Sequence, residues 1–189
     1  CKPKKPTPPE VKTPATVTLP YYTEKTLTPK WLTKEEAAQK ELHTISDFSY
    51  TNQDGEKITK EFLEGRIAVV NWFFTVFQGI CPKIMGNVHE TFDAFSRDSG
   101  IVFLSHSVTP EMDTPAVLRS FADKREIKTL RWQLVTGDRG TIYKNARESY
   151  FADQEAGVKE KNGIMHTENV ILVDPKGHIR GVYNGTLRM

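Results

Sequence analysis

Apolar positions concentrate in two nearly unbroken runs. "RIAVVNWFFT" (residues 66–75) and "IVFLSHSV" (residues 101–108) are rich in β-branched and aromatic residues. Such runs predict central strands covered on both faces. Between them Ile84, Val88, Phe92 and Phe95 recur three or four residues apart. This spacing predicts a helix with Pro82 in its first turn, where the missing N–H is no loss, and "RDSG" as its end. "TPEMDTPAVLRSFADKREI" predicts a second helix opening near Asp113, Thr114 and Pro115. "WQLVTG" reads as a short strand and "RGTIYKNARESYF" as another helix.

Alternating patterns flank this core. In "DFSYTNQDGEKITKEFLEG", Phe48 and Tyr50 alternate with polar residues, "NQDG" makes a turn, and "EFLEG" forms a helical turn closed by Gly65; the whole reads as a β-hairpin. "HTENVILVDPKGHIRGVYNG" is a second hairpin turning at "DPKG". Residues 152–163 form a polar loop with nothing to bury, and residues 21–42 a polar approach segment. Within the latter, "TKEEAAQKE" predicts a short helix capped by Thr33, with Glu36 completing a capping box. No internal repeat is visible. Strands alternating with helices between two hairpins predict an α/β sandwich: a mixed central sheet flanked by helices, with an N-terminal β-hairpin. The order resembles the thioredoxin fold, which carries a reactive cysteine at the mouth of its first helix and adds a final helix after the last hairpin. Since the sequence stops at "TLRM", the expectation is a domain over residues 43–189 without that helix, from a native chain that continues past Met189.

Charge changes the picture at the N-terminus. Residues 1–20 hold four lysines, one glutamate, six of the 11 prolines and no aromatic residue. They read as an extended, solvated tether. The remainder carries 22 basic and 23 acidic side chains, and a nearly neutral body argues against a nucleic-acid binder. No apolar run approaches the roughly 18 residues a membrane span needs. The two cysteines, Cys1 and Cys81, give no disulfide framework. A chain opening "CKPKKPTPPEVKTP" resembles a mature bacterial lipoprotein lipidated on Cys1, which implies a lipid-anchored, extracytoplasmic protein of the cell envelope. The plain alternative is a start that falls on cysteine by chance.

Cys81 lies where the first apolar run meets the helix that follows it. A helix N-terminus offers free N–H groups and partial positive charge. Both stabilise a thiolate, which is a nucleophile or a soft-metal ligand. The bland reading is a small buried hydrophobe. A thiol-dependent enzyme, a monothiol reductase or peroxidase relative, is the catalytic alternative. Peroxidases of this fold place a threonine three residues before the reactive cysteine, whereas position 78 is Gln.

The segment "FFTVFQGICP" resembles the "FFTxCPxxCP" of the Sco/SenC family of copper-handling, thioredoxin-like proteins that assist cytochrome c oxidase assembly. It keeps Phe73, Phe74, Thr75, Cys81 and Pro82. "FLSHSVTPEMDTPAVLRSFAD" is similar to the family's "VDPExDTPxxLxxYA", with Thr109 in place of the usual Asp. "LVTGD" and "MHTENVILVDPKGHIRGVYNGT" match its later strand and hairpin, so the resemblance covers roughly residues 43–187. It implies one copper ion bound by two cysteines and a distant histidine. Carried over by position, Cys81 is the second cysteine and His166 the histidine. The first cysteine falls on Phe77 and the proline after it on Gln78, so the site keeps one thiol, weakened for copper and incapable of an internal disulfide. Phe77, Gln78 and Pro82 would line it. Met85, one helical turn past Cys81, and Met165, beside His166, are possible third ligands that read first as core residues. His43, His89, His106 and His178 read as structural or surface groups. The partners implied are a respiratory oxidase copper subunit or another copper or thiol protein, with the membrane reached through Cys1. A domain that has lost its chemistry and only binds a partner is the further alternative.

Overall fold

The computed structural model describes residues 18–76, 81–153 and 164–187, with Cys81 placed by its backbone. Seven strands form one sheet: β1 (Ser49–Asn52), β2 (Lys57–Thr59), β3 (Ile67–Phe73), β4 (Ile101–Ser107), β5 (Trp132–Thr136), β6 (Asn169–Val173) and β7 (Ile179–Asn184). Their spatial order is β2-β1-β5-β4-β3-β6-β7. The two apolar runs become the parallel centre, with β3 on β4 and β4 on β5. Each hairpin adds antiparallel strands at one edge, β1 against β5 and β6 against β3. The mixed sheet and N-terminal hairpin expected from the pattern are both present.

Alternation along the central strands feeds two cores. Val69, Phe73, Phe103, Trp132 and Leu134 point to one face, which α2 (Cys81–Ala94) and α3 (Pro115–Lys124) cover with Ile84, Met85, Val88, Leu118 and Ala122. Val70, Trp72, Val102 and Leu104 point to the other, which α4 (Arg139–Lys144) and the π-helical turn Asn145–Ser149 cover with Ile142, Tyr143 and Ala146. Helix starts follow the capping chemistry read from the sequence. Thr114 and Asp138 cap α3 and α4 with side-chain oxygens. The short α1 (Lys34–Ala38) has the full Thr33–Glu36 capping box and buries nothing.

Three local expectations need correction. Phe95 lies beyond the end of α2 and is exposed. Ala152, read as part of a polar loop, is buried, and its carbonyl accepts from Thr167 Oγ1 and Asn169 Nδ2; residues 154–163 of that loop lie outside the described residues. The approach segment is also less detached than its polarity suggests. Tyr22 bridges Ile179 at the open edge of β7, and just before the segment the Leu19 and Pro20 carbonyls accept from Arg180.

The end of β7 is pinned to α2. Asn87 Nδ2 donates to the carbonyls of Gly185 and Leu187. A Cβ on Gly185 would stand 2.7 Å from Val170 Cγ2 and 3.0 Å from Ile84 Cγ2. Gly185→Ala is therefore expected to lower stability by about 1–3 kcal/mol through overpacking; an unchanged thermal midpoint would show that the hairpin end has room to yield.

Candidate metal-binding site

The carboxyl ends of β3 and β4 and the approach to β6 meet at one end of the sheet. Phe73 pairs with Ser107, and the Val108 N–H donates to the Phe73 carbonyl over 2.8 Å, so Thr109 begins its loop level with Thr75. On the other side, β6 pairs Ala68 with Val173 and Val70 with Ile171. Before β6 begins, His166 meets Phe74 edge to face at 6.0 Å between ring centroids. His166 is exposed. Cys81 is the first residue of α2, the helix that follows β3, and exposed Pro82 is the second. His166 thus stands against the exit of β3, the strand that precedes the helix opened by Cys81. Phe77, Gln78, Cys1 and the Cys81 side chain lie outside what is described.

A buried carboxylate holds this end together. Asp113 accepts from Thr75 Oγ1 at 2.5 Å, Ser107 Oγ at 2.6 Å and Thr109 Oγ1 at 3.0 Å. Its own N–H donates to the Thr109 carbonyl. One side chain therefore ties the exit of β3 to the exit of β4 and to the start of α3. Sequence reasoning saw Asp113 only as a helix opener; the legible signal was Thr75, Ser107 and Thr109, three hydroxyls at strand ends around one acid. Thr109 matters in a further way. The aspartate that the Sco/SenC resemblance implies there would oppose a second carboxylate to Asp113, whereas threonine supplies a donor.

Both methionines weighed as third ligands are core residues, each with 1% exposure. Met85 sits in the core under α2, and its sulfur accepts from Asn71 Nδ2 at 3.3 Å. That amide belongs to a buried chain in which Ser105 donates to Asn71 Oδ1 and Trp132 Nε1 to Ser105. Met165 is in the core on the opposite face of the sheet, its N–H bonded to the Tyr143 hydroxyl. The other histidines are structural: His43 Nε2 lies 2.7 Å from the Ser149 carbonyl, His178 Nδ1 3.0 Å from the His43 carbonyl, and His89 faces Asp93 on its own helix. His106 is buried among aromatic rings. Among the described residues, no three His, Cys, Asp or Glu side chains are grouped to hold a metal.

The profile of SCO1/SenC matches residues 36–188. The chain belongs to the SCO1/SenC family. A SCO1/SenC family lipoprotein from Bacillus anthracis is 28% identical and superposes with a TM-score of 0.67, over 76% of this chain and 85% of that one. BsSco, described as a member of the Sco family of cytochrome c oxidase assembly proteins and as having a disulfide switch, is 28% identical with a TM-score of 0.65, over 76% and 84%. Bradyrhizobium japonicum ScoI, solved with copper bound, is 25% identical with a TM-score of 0.62, over 77% and 92%. The Sco fold is thus present over the span whose motifs suggested it. Within that fold, the chain has one cysteine in the folded body, Cys81, with Phe at position 77.

Proposed function

We propose that this Sco-family domain takes up a single copper ion through Cys81 and His166 and hands it to, or maintains thiols of, a respiratory oxidase copper subunit. Copper here is cargo. The observation that carries the reading is the placement of His166 against Phe74, at the strand exit that leads to the Cys81 helix. The donor set suits the ion. Thiolate and imidazole together satisfy Cu(I), which accepts two-coordinate binding and is selected by soft sulfur. A helix N-terminus favours the thiolate form of a cysteine placed there. With one cysteine in the folded body, an internal disulfide has no second partner there, so any thiol exchange passes through a mixed disulfide with a partner protein. Anchoring on Cys1 in the bacterial envelope completes the reading. It is supported by the Pro/Lys-rich tether and by the lipoprotein description of the B. anthracis relative; no described helix is long and apolar enough to cross a membrane.

Titration of the reduced protein with Cu(I) against a competing chelator tests this. The expected result is one equivalent bound, abolished by Cys81→Ala and weakened by His166→Ala. Absence of binding, or binding indifferent to Cys81→Ala, overturns the copper reading.

A further inference from the structure

His166 is exposed and precedes β6, which begins only at Asn169. No strand ladder holds it, yet the backbone on both sides of it is fastened. On one side, the Met165 N–H donates to the Tyr143 hydroxyl at 3.1 Å. On the other, Thr167 Oγ1 donates to the Ala152 carbonyl. The first of these bonds reaches furthest through the fold.

Tyr143 lies in the last turn of α4 and is buried. Its hydroxyl accepts from Met165 and donates its own proton to the Val108 carbonyl at 2.7 Å. The Val108 N–H in turn donates to the Phe73 carbonyl at 2.8 Å. Three hydrogen bonds therefore run from Met165 through Tyr143 and Val108 to Phe73. The residues that follow the two ends of this chain are His166 and Phe74, whose rings meet. One phenol oxygen thus joins the segment bearing His166 to the exits of β4 and β3. The phenol ring is itself held. The guanidinium carbons of Arg139 and Arg147 stand 5.1 Å and 5.7 Å from its centroid, a placement that cation–π attraction favours. Arg139 also pairs with Glu111 at 3.7 Å and Arg147 with Asp153 at 3.0 Å. Met165 is 1% exposed, so loss of the hydroxyl would leave its N–H buried without that acceptor. A buried donor left unsatisfied is costly, and the segment gains by moving to satisfy it.

We propose that Tyr143 is a positioning residue for His166: its hydroxyl fixes the backbone from which the imidazole reaches its ion. This rests on the copper reading above. Tyr143 acts through the Met165 backbone, and α4, which carries no ligand, thereby sets the affinity of the site.

The test uses the full chain and Tyr143→Phe, which removes one oxygen and keeps the ring in the core. In the metal-free protein, a nuclear Overhauser contact between the His166 and Phe74 rings is expected in the wild type and lost in Tyr143→Phe. The Met165 amide is expected to exchange at least about tenfold faster in the variant. With Cu(I) alone as probe against a competing chelator, affinity is expected to fall at least about tenfold, the lower end of what loss of an outer support costs a metal site. In a His166→Ala background the same change is expected to alter affinity by less than about twofold, since the residue it positions is gone. An equal loss in both backgrounds overturns the assignment, because a general weakening of the fold would act on both alike. Wild-type ring contact and affinity in Tyr143→Phe also overturn it and leave the copper reading standing. A wild type that binds no Cu(I) overturns the copper reading instead. The ring contact and the Met165 exchange then decide the positioning of His166 by themselves: retained in Tyr143→Phe they overturn it, altered they uphold it.

Discussion

Replacing His106 by phenylalanine is expected to remove most of an acid-induced loss of stability. His106 sits in β4 with 1% exposure. Its ring stacks on Trp72 at 5.4 Å and meets Tyr50 edge-on at 5.3 Å and Tyr150 at 5.7 Å. Neither ring nitrogen has a hydrogen-bond partner among the described residues. Burial pushes the imidazole down to about 3 from its usual 6.5, against a smaller upward pull from the Asn71 backbone. The folded protein therefore keeps His106 neutral, while the unfolded chain takes up a proton below about pH 6.5. Stability from this residue is complete above that pH and falls, by ~1.4 kcal/mol per pH unit, as pH drops toward 3. Over the whole window the loss is on the order of 4 kcal/mol. Phenylalanine keeps an aromatic ring in the cage and has nothing to protonate. At pH 7 its effect is expected within about 1.5 kcal/mol, as for other near-isosteric core exchanges. Denaturant unfolding at pH 7, 5.5 and 4.5 (about the range where the two proteins should diverge) decides it. Parallel pH profiles would show that His106 is not the acid-sensitive group.

Asp113→Ala is expected to be the most damaging single change at the candidate site. Three hydroxyls converge on this fully buried carboxylate. Hydrogen bonds to a charged group are each worth about 1.5–3 kcal/mol, and removing the acceptor also leaves its buried donors unsatisfied. The sum is not additive, and a net loss of about 3–5 kcal/mol is expected. Asp113→Asn retains one acceptor oxygen and rotatable hydroxyls around it, so its loss should be roughly half as large. The change also reaches function. Without Asp113, the exit of β3 is no longer fastened to the β4 loop, so copper affinity is expected to fall along with stability. Thermal unfolding and Cu(I) competition on both variants separate the two effects. An Asp113→Ala protein as stable as the wild type would show that the hydroxyls satisfy one another.

The contrast between these two residues reflects what a sequence exposes. Asp113 sits in a readable motif, "DTP", whose helix-capping logic placed α3 correctly. Its role as a three-hydroxyl clamp depends on β3 and β4 lying side by side, which no local pattern states. His106 lies in an apolar run and reads as a strand residue; that its nitrogens lack partners follows from which rings surround it. The same gap explains Ile45 and Ala152. Each sits in a polar neighbourhood by sequence, and each is buried because a distant element covers it.

Periodicity, turn residues and caps determined by themselves the type and order of the elements and the start of a helix at Cys81, because each depends on interactions within a few residues. The match of motifs likewise located the family without any contact being known. Strand order was decided only in three dimensions, since pairing joins segments far apart along the chain. From that order came the placement of His166 beside Phe74 and the burial of Met85 and Met165 on opposite faces. Chemistry-bearing residues could be named from the sequence; which of them share a site depended on how the sheet was assembled.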